Sequence, residues 1–111
     1  MGKGDNLGEF EQLVLLALVS LREEDAYGMN VRAVLRDRAA RDVSVPTVYS
    51  ALERLQAKGY LSALLGDPTP ERGGRAKKLF RVEPAGLEAL RNARRILDRM
   101  WEAAALEPEA S

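Results

Sequence analysis

Neither cysteine nor histidine occurs among the 111 residues of the chain. Disulfides are therefore excluded, and so is a metal site built on thiolate and imidazole ligands. The missing histidine also removes the commonest general base and the usual nucleophilic triads. Net charge is zero, so global charge points to no particular partner. The longest apolar run, 13–19, is too short to cross a bilayer, which takes about 20 residues. The opening MGKGDNLGEF holds no apolar segment of the signal-peptide kind, and Asn6 stands where a myristoylation signal wants Ser or Thr. The expectation is a cytoplasmic protein. Carboxylates are plentiful, but no paired set stands beside a glycine-rich loop or an activated nucleophile. No enzyme, cofactor or metal is expected.

What is present is enough apolar material, 46% of the residues, for the core of one compact domain. Charge is unevenly spread. Between positions 32 and 81 eleven Lys or Arg stand against five Asp or Glu, whereas the two ends are acidic. A basic middle between acidic flanks suggests a partner for the middle.

Periodicity predicts four helices and a hairpin. The first helix is expected over 7–21, capped by Asn6, with Leu7, Phe10, Val14, Ala17, Leu18 and Leu21 on one face. Leu13, Leu15, Leu16 and Val19 extend that face almost all round, so the helix should be buried on most sides, in part against a second subunit. A second helix is expected over 26–40, capped by Asp25. Its apolar side is Tyr27, Val31, Val34 and Leu35, and Gly28 near its start is a weak helix former that permits close packing. Ser44 and Pro46 open a third helix over 45–58, with Val48, Leu52 and Leu55 inside and Gly59 as its stop. The period then changes. YLSALL and RAKKLFRV read as two short strands around the turn-rich GDPTPERGG, a β-hairpin. From Pro84 to about 106 a long helix repeats Leu90, Ala93, Leu97, Met100 and Ala104 at the steps of a coiled-coil seam, with Leu87, Ile96 and Trp101 outside it.

Two helices joined by a short turn and followed by a hairpin form the winged variant of helix-turn-helix. The expected fold is mainly α with a small β-hairpin, a winged helix-turn-helix flanked by N- and C-terminal dimerisation helices. In that design the third helix enters the DNA major groove. Its buried stripe accounts for Val48, Leu52 and Leu55 but not for Thr47, Tyr49, Ser50, Arg54 and Lys58. Thr can touch a thymine methyl, Ser and Tyr can donate to phosphate, and Arg can pair with phosphate or guanine. The hairpin adds Arg72, Arg75, Lys77 and Lys78 around Gly73 and Gly74, where glycine lets backbone approach a groove wall. These nine side chains are the expected DNA-binding set. A winged-helix module that binds protein instead of DNA is the alternative, though such a wing need not be basic.

The segments LGEFEQLVLLAL, AYGMNV, VPTVYSALERLQAKGYL and RGGRAKKLFRV, with Gly86 and Leu87 after them, resemble the PadR family of bacterial winged-helix transcription regulators over nearly the whole chain. The combination of Tyr, Leu, Arg-Leu and Gly in the third helix with Gly-Gly-Arg in the wing carries the resemblance. It implies that Tyr49 and its polar neighbours contact the operator backbone and that Arg75 belongs to the wing. It also implies a dimer, in the manner of the smaller PadR subgroup, through the short last helix. The expected interface is Phe10, Leu13, Leu16, Leu90, Leu97, Met100 and Trp101. The family's regulators typically repress genes, and some are released by phenolic acids or flat drugs. A small planar aromatic effector near Phe10, Leu13, Leu97 and Trp101 is expected on that basis. Two departures stand out: Glu83 and Pro84 occur where the family usually has a Thr cap, and Phe80 where Tyr is frequent. On this reading 1–6 is a flexible N-terminus, 7–83 the DNA-binding domain, 84–106 the dimerisation helix and 107–111 a flexible tail.

Overall fold

The computed structural model describes residues 7–68 and 76–106. Helix α1 spans Glu9–Ser20. Its N-cap is Gly8, whose amide donates to Glu11 Oε1 at 3.3 Å, so a carboxylate three residues on does the capping. The expected cap Asn6 lies outside the described residues. Val14, Leu15, Ala17 and Leu18 enter the core, while Leu16 and Val19 each stay 51% exposed. The all-round burial expected of this helix is therefore not met within one protomer, and Leu15, counted above among its extra apolar residues, is fully internal.

A single 3-10 turn, Glu23–Asp25, follows. It takes Asp25 out of the capping position, so α2 runs Gly28–Ala39 with Tyr27 as its N-cap residue. Asn30 Nδ2 donates back to the Asp25 carbonyl at 2.9 Å and ties the turn to the helix. α2 buries Val31 and Leu35 and ends on Ala40, a left-handed residue at φ 54°. Arg32 Nε then donates to the Val43 carbonyl at 2.6 Å and holds the linker to the next helix.

Helix α3, Val45–Ala57, opens as expected: Ser44 Oγ accepts the Thr47 amide at 3.2 Å, and Pro46 sits in the first turn. Val48, Ala51, Leu52 and Leu55 are its internal stripe. Gly59, at φ +82°, lets the chain turn out of the helix, a conformation costly for any residue with a Cβ. Strand β1, Leu61–Pro68, pairs antiparallel with β2, Ala76–Val82, in the register Leu61↔Val82, Ala63↔Phe80 and Leu65↔Lys78, with an irregularity between Leu65 and Pro68. Leu61 and Phe80 are buried in the core, whereas Leu64 and Leu65 are exposed. The Phe80 amide donates to the Ala26 carbonyl at 2.8 Å and Tyr27 bridges Leu79, so the hairpin is fastened to the start of α2.

Helix α4, Pro84–Ala104, is locked at its first turn. The Glu83 amide donates to the Tyr60 carbonyl at 2.9 Å, and Ser62 Oγ donates to Glu83 Oε2 at 2.5 Å. Glu83 thus spends its carboxylate on the hairpin, and no side chain caps α4. Gly86 presses on the same Tyr60 carbonyl, which a Cβ would approach to 2.5 Å. Beyond Leu90 only Ala93 is partly covered; every other residue of α4 is exposed. Ile96 (46%), Leu97 (57%), Met100 (63%) and Trp101 (54%) lie uncovered on a helix of 21 residues, about 32 Å long. Among the described residues no helix is long and apolar enough to cross a membrane.

Candidate nucleic-acid interface

α3 carries two kinds of polar side chain, separated by where they point. Thr47, Ser50 and Arg54 follow one another at three and four residues and are exposed, which places them on one outer face. The Thr47 hydroxyl is 2.8 Å from Ser44 Oγ, so the first member of this face is oriented by the cap. Tyr49 is half-buried and packs against the core. Its ring lies over Gly28 at the start of α2.

Lys58, just past the end of α3, turns inward. Its Nζ donates to both carboxylate oxygens of Glu11, at 3.0 and 3.2 Å, and Arg54 Nε reaches Glu11 Oε2 at 3.4 Å. The Glu11 side chain is 10% exposed, the Lys58 side chain 27% and the Arg54 side chain 55%. Burial acts to raise the Glu11 pKa, but the Lys58 ammonium, the Gly8 amide and the Arg54 guanidinium outweigh it, and the carboxyl titrates below its ordinary value. Arg54 gives only its Nε to this bond, and its exposed end leaves donors for a further anion. Lys58 is the more fully engaged of the two. α1 and α3 are thus joined by an ionic link as well as by packing.

Sequence reasoning passed over Glu11. A signal for it exists: Glu11 falls four residues after Leu7, three before Val14 and seven before Leu18, on a stripe otherwise apolar. A carboxylate on a buried stripe needs a partner.

In the hairpin, Lys77 and Lys78 lie on β2. Lys78 is exposed, with Nζ 5.7 Å from the centre of the Phe80 ring, within cation–π range. Arg72 and Arg75 lie outside the described residues. The outer face of α3 offers hydroxyls and one half-engaged guanidinium, and β2 the exposed Lys78 ammonium, a donor set suited to phosphate oxygens and base edges. Among the described residues no group of three or more acidic side chains is placed to hold a metal ion.

The expected interface residues divide. Leu16, Leu97, Met100 and Trp101 are exposed, whereas Phe10, Leu13 and Leu90 are partly covered by their own protomer. One groove, about 360 Å³, runs between α1 and α4 past Leu16, Val19, Leu87, Leu90 and Leu97. Another, about 470 Å³, lies between α1 and α2 and is lined by Leu13, Leu16, Val34 and Arg38. Leu97 and Leu13 thus line different grooves of one protomer, and neither groove reaches Phe10 or Trp101.

The arrangement of helices and hairpin has relatives. The sequence model of the transcriptional regulator PadR-like family matches residues 15–92. The chain belongs to the PadR-like family. That match covers the end of α1, both helices of the helix-turn-helix, the hairpin and the first half of α4. Solved structures agree in fold. The chain is similar to a PadR-like transcription factor from Bacteroides fragilis, with 23% identity, TM-score 0.71, and 86% of this chain and 85% of that one covered. A PadR family transcriptional regulator from Eggerthella lenta gives 26% identity, TM-score 0.66 and coverage of 86% and 82%. A transcriptional regulator from Clostridium thermocellum gives 20%, 0.67, and 85% and 87%. No curated protein matches the chain significantly. Mainly helical architecture with a two-stranded antiparallel hairpin is therefore common to this chain and its PadR relatives.

Proposed function

We propose that the protein is a sequence-specific DNA-binding transcription regulator, acting as a homodimeric repressor that a small effector releases. The observation that carries the reading is the exposed face Thr47–Ser50–Arg54 on the second helix of a helix-turn-helix, next to a lysine-bearing hairpin in a PadR-family chain. In this reading Thr47 and Ser50 read base edges, while Tyr49, Arg54 and the wing cations Arg72, Arg75, Lys77 and Lys78 hold phosphates. Lys58 acts mainly through its bond to Glu11.

A dimer follows from α4. Its apolar stripe has no cover within the protomer, and a second copy bearing the same stripe supplies one. Two-fold pairing sets the two α3 helices against successive major grooves about 34 Å apart. An effector wedged beside α1 and α4, near Phe10, Leu13, Leu97 and Trp101, changes that spacing. It releases DNA only to the extent that it prefers the non-binding geometry.

Binding to duplex DNA should fall steeply with salt, by a slope of about 0.9 per phosphate neutralised. The double change Arg75→Ala, Lys77→Ala removes up to four cations from a dimer and should flatten the slope by up to about 4. Thr47→Ala should leave the slope alone and reduce only the preference for the selected operator over random sequence. An unchanged affinity and slope in the wing variant would overturn the wing assignment. Titration with planar aromatic compounds, followed by Trp101 fluorescence and operator release, tests the effector; release without a fluorescence change would place the ligand elsewhere.

A further inference from the structure

The first residue of α2 is a glycine that its backbone does not require. Gly28 is buried and lies in a helix, and it does not adopt a positive φ. Alanine would suit that helix position better on propensity alone. What excludes alanine is Tyr49. A Cβ on Gly28 would fall inside the van der Waals envelope of Tyr49 Cζ and Oη, and 2.7 Å from Cε2. The missing side chain is therefore the seat of the tyrosine ring, and the end of the ring that carries the hydroxyl is the part that rests there. The Tyr49 hydroxyl bonds to no other described residue. No side-chain oxygen or nitrogen among the described residues is buried without a hydrogen-bond partner, so the unspent hydroxyl of this half-buried phenol is accessible to a partner outside the protomer.

We infer that Gly28 is a positioning residue for nucleic-acid binding: its bare Cα fixes the Tyr49 ring so that the hydroxyl donates to a DNA phosphate. This rests on the DNA-binding reading above. A tyrosine already held in its bound rotamer loses little side-chain freedom when the phosphate arrives, which is the advantage of preorganisation. Adding one methyl group at Gly28 turns the ring off its seat and moves the hydroxyl, although Gly28 itself touches no DNA.

The test is a cycle of Gly28→Ala and Tyr49→Phe, measured by fluorescence anisotropy on a mixed-sequence duplex at low ionic strength. Phosphate contacts do not depend on base sequence, so no operator is needed. Each single variant should bind about tenfold more weakly, the scale of one hydrogen bond to a charged group. The salt slope should be unchanged, because the phenol is neutral and releases no counterion. The double variant should bind no more weakly than the weaker single. Additive losses, or a Gly28→Ala variant that binds like the parent while Tyr49→Phe does not, would overturn the inference and leave the functional reading intact. A parent that binds no duplex DNA would overturn both. The folding readout guards against a variant that fails to fold. Gly28→Ala should lower the melting temperature in the parent but raise it in a Tyr49→Ala background, where the space is empty and the helix propensity of alanine is all that remains. A fall in both backgrounds would mean that the glycine answers to something other than the ring.

Discussion

Replacing Glu11, a nearly buried carboxylate that joins α1 to α3, should cost more stability than removing an exposed charge. Its carboxylate accepts from Lys58 Nζ at 3.0 and 3.2 Å, from Arg54 Nε at 3.4 Å and from the Gly8 amide at 3.3 Å. In Glu11→Ala all of these are lost. Both cations are partly exposed and can turn to water, so neither is left as an isolated buried charge. The cost should therefore fall below the 3–5 kcal/mol seen when one partner of a fully buried pair is removed, and near the 1.5–3 kcal/mol of a hydrogen bond to a charged group. About 2 kcal/mol is expected, or roughly 8 °C in melting temperature for a chain of this size. Glu11→Gln keeps the shape and the acceptor for Gly8 and loses only the charge, so about half of that is expected. The sign with pH is fixed by the lowered pKa. A carboxyl whose folded pKa lies below its unfolded value stabilises above the unfolded value, and that contribution disappears as pH falls through the folded one. The stability gap between parent and Glu11→Gln should be constant from neutral pH down to about 4.5 and should close below it. Urea unfolding at one fixed protein concentration measures it, since association would make stability concentration-dependent. A gap that persists unchanged at pH 3, or a Glu11→Ala variant within about 0.5 kcal/mol of the parent, would show that the ionic link is not holding α1 to α3.

Other outcomes follow from the same geometry. Leu97→Glu sets a carboxylate in the exposed stripe of α4, where burying it unpaired costs several kcal/mol; sedimentation at micromolar concentration should show a dimer for the parent and a monomer for the variant, and a monomeric parent would refute the interface. Ala40→Gly relieves a left-handed residue at φ 54° and should raise stability by about 0.5–1 kcal/mol, read as a higher urea midpoint at unchanged slope.

How much of this was legible beforehand varies by element, for local reasons. α3 was legible to within a residue because its signals are chemical and adjacent: a Ser cap, a Pro in the first turn, a Gly able to take φ +82°. The helix-hairpin-helix order was legible for the same reason, as were the outer positions Thr47, Ser50 and Arg54. The start of α2 was not. Asp25 is as good a cap as any by type, but the chain spends Glu23–Asp25 on a 3-10 turn whose place is set by the hairpin bonding at Ala26 and Tyr27. Nothing within a few residues of Asp25 encodes a bond to Phe80.

What the sequence determined by itself is what depends on near neighbours: which residues cap, break or alternate, and hence four helices and a hairpin in the PadR order. What the tertiary structure decided is the use made of chemically equivalent positions. In α1, Leu15 and Leu16 are the same residue one step apart, yet one is internal and the other half exposed, because only packing against α2 and α3 chooses the buried side of a helix that is apolar nearly all round. Lys58 and Arg54 read as free cations until Glu11, 47 and 43 residues away, comes within hydrogen-bond reach. Gly28 reads as a weak point in a helix until the Tyr49 ring closes over it. In each case the deciding atom is remote in the chain and close in space, and burial makes its contact worth more than any local preference it overrides.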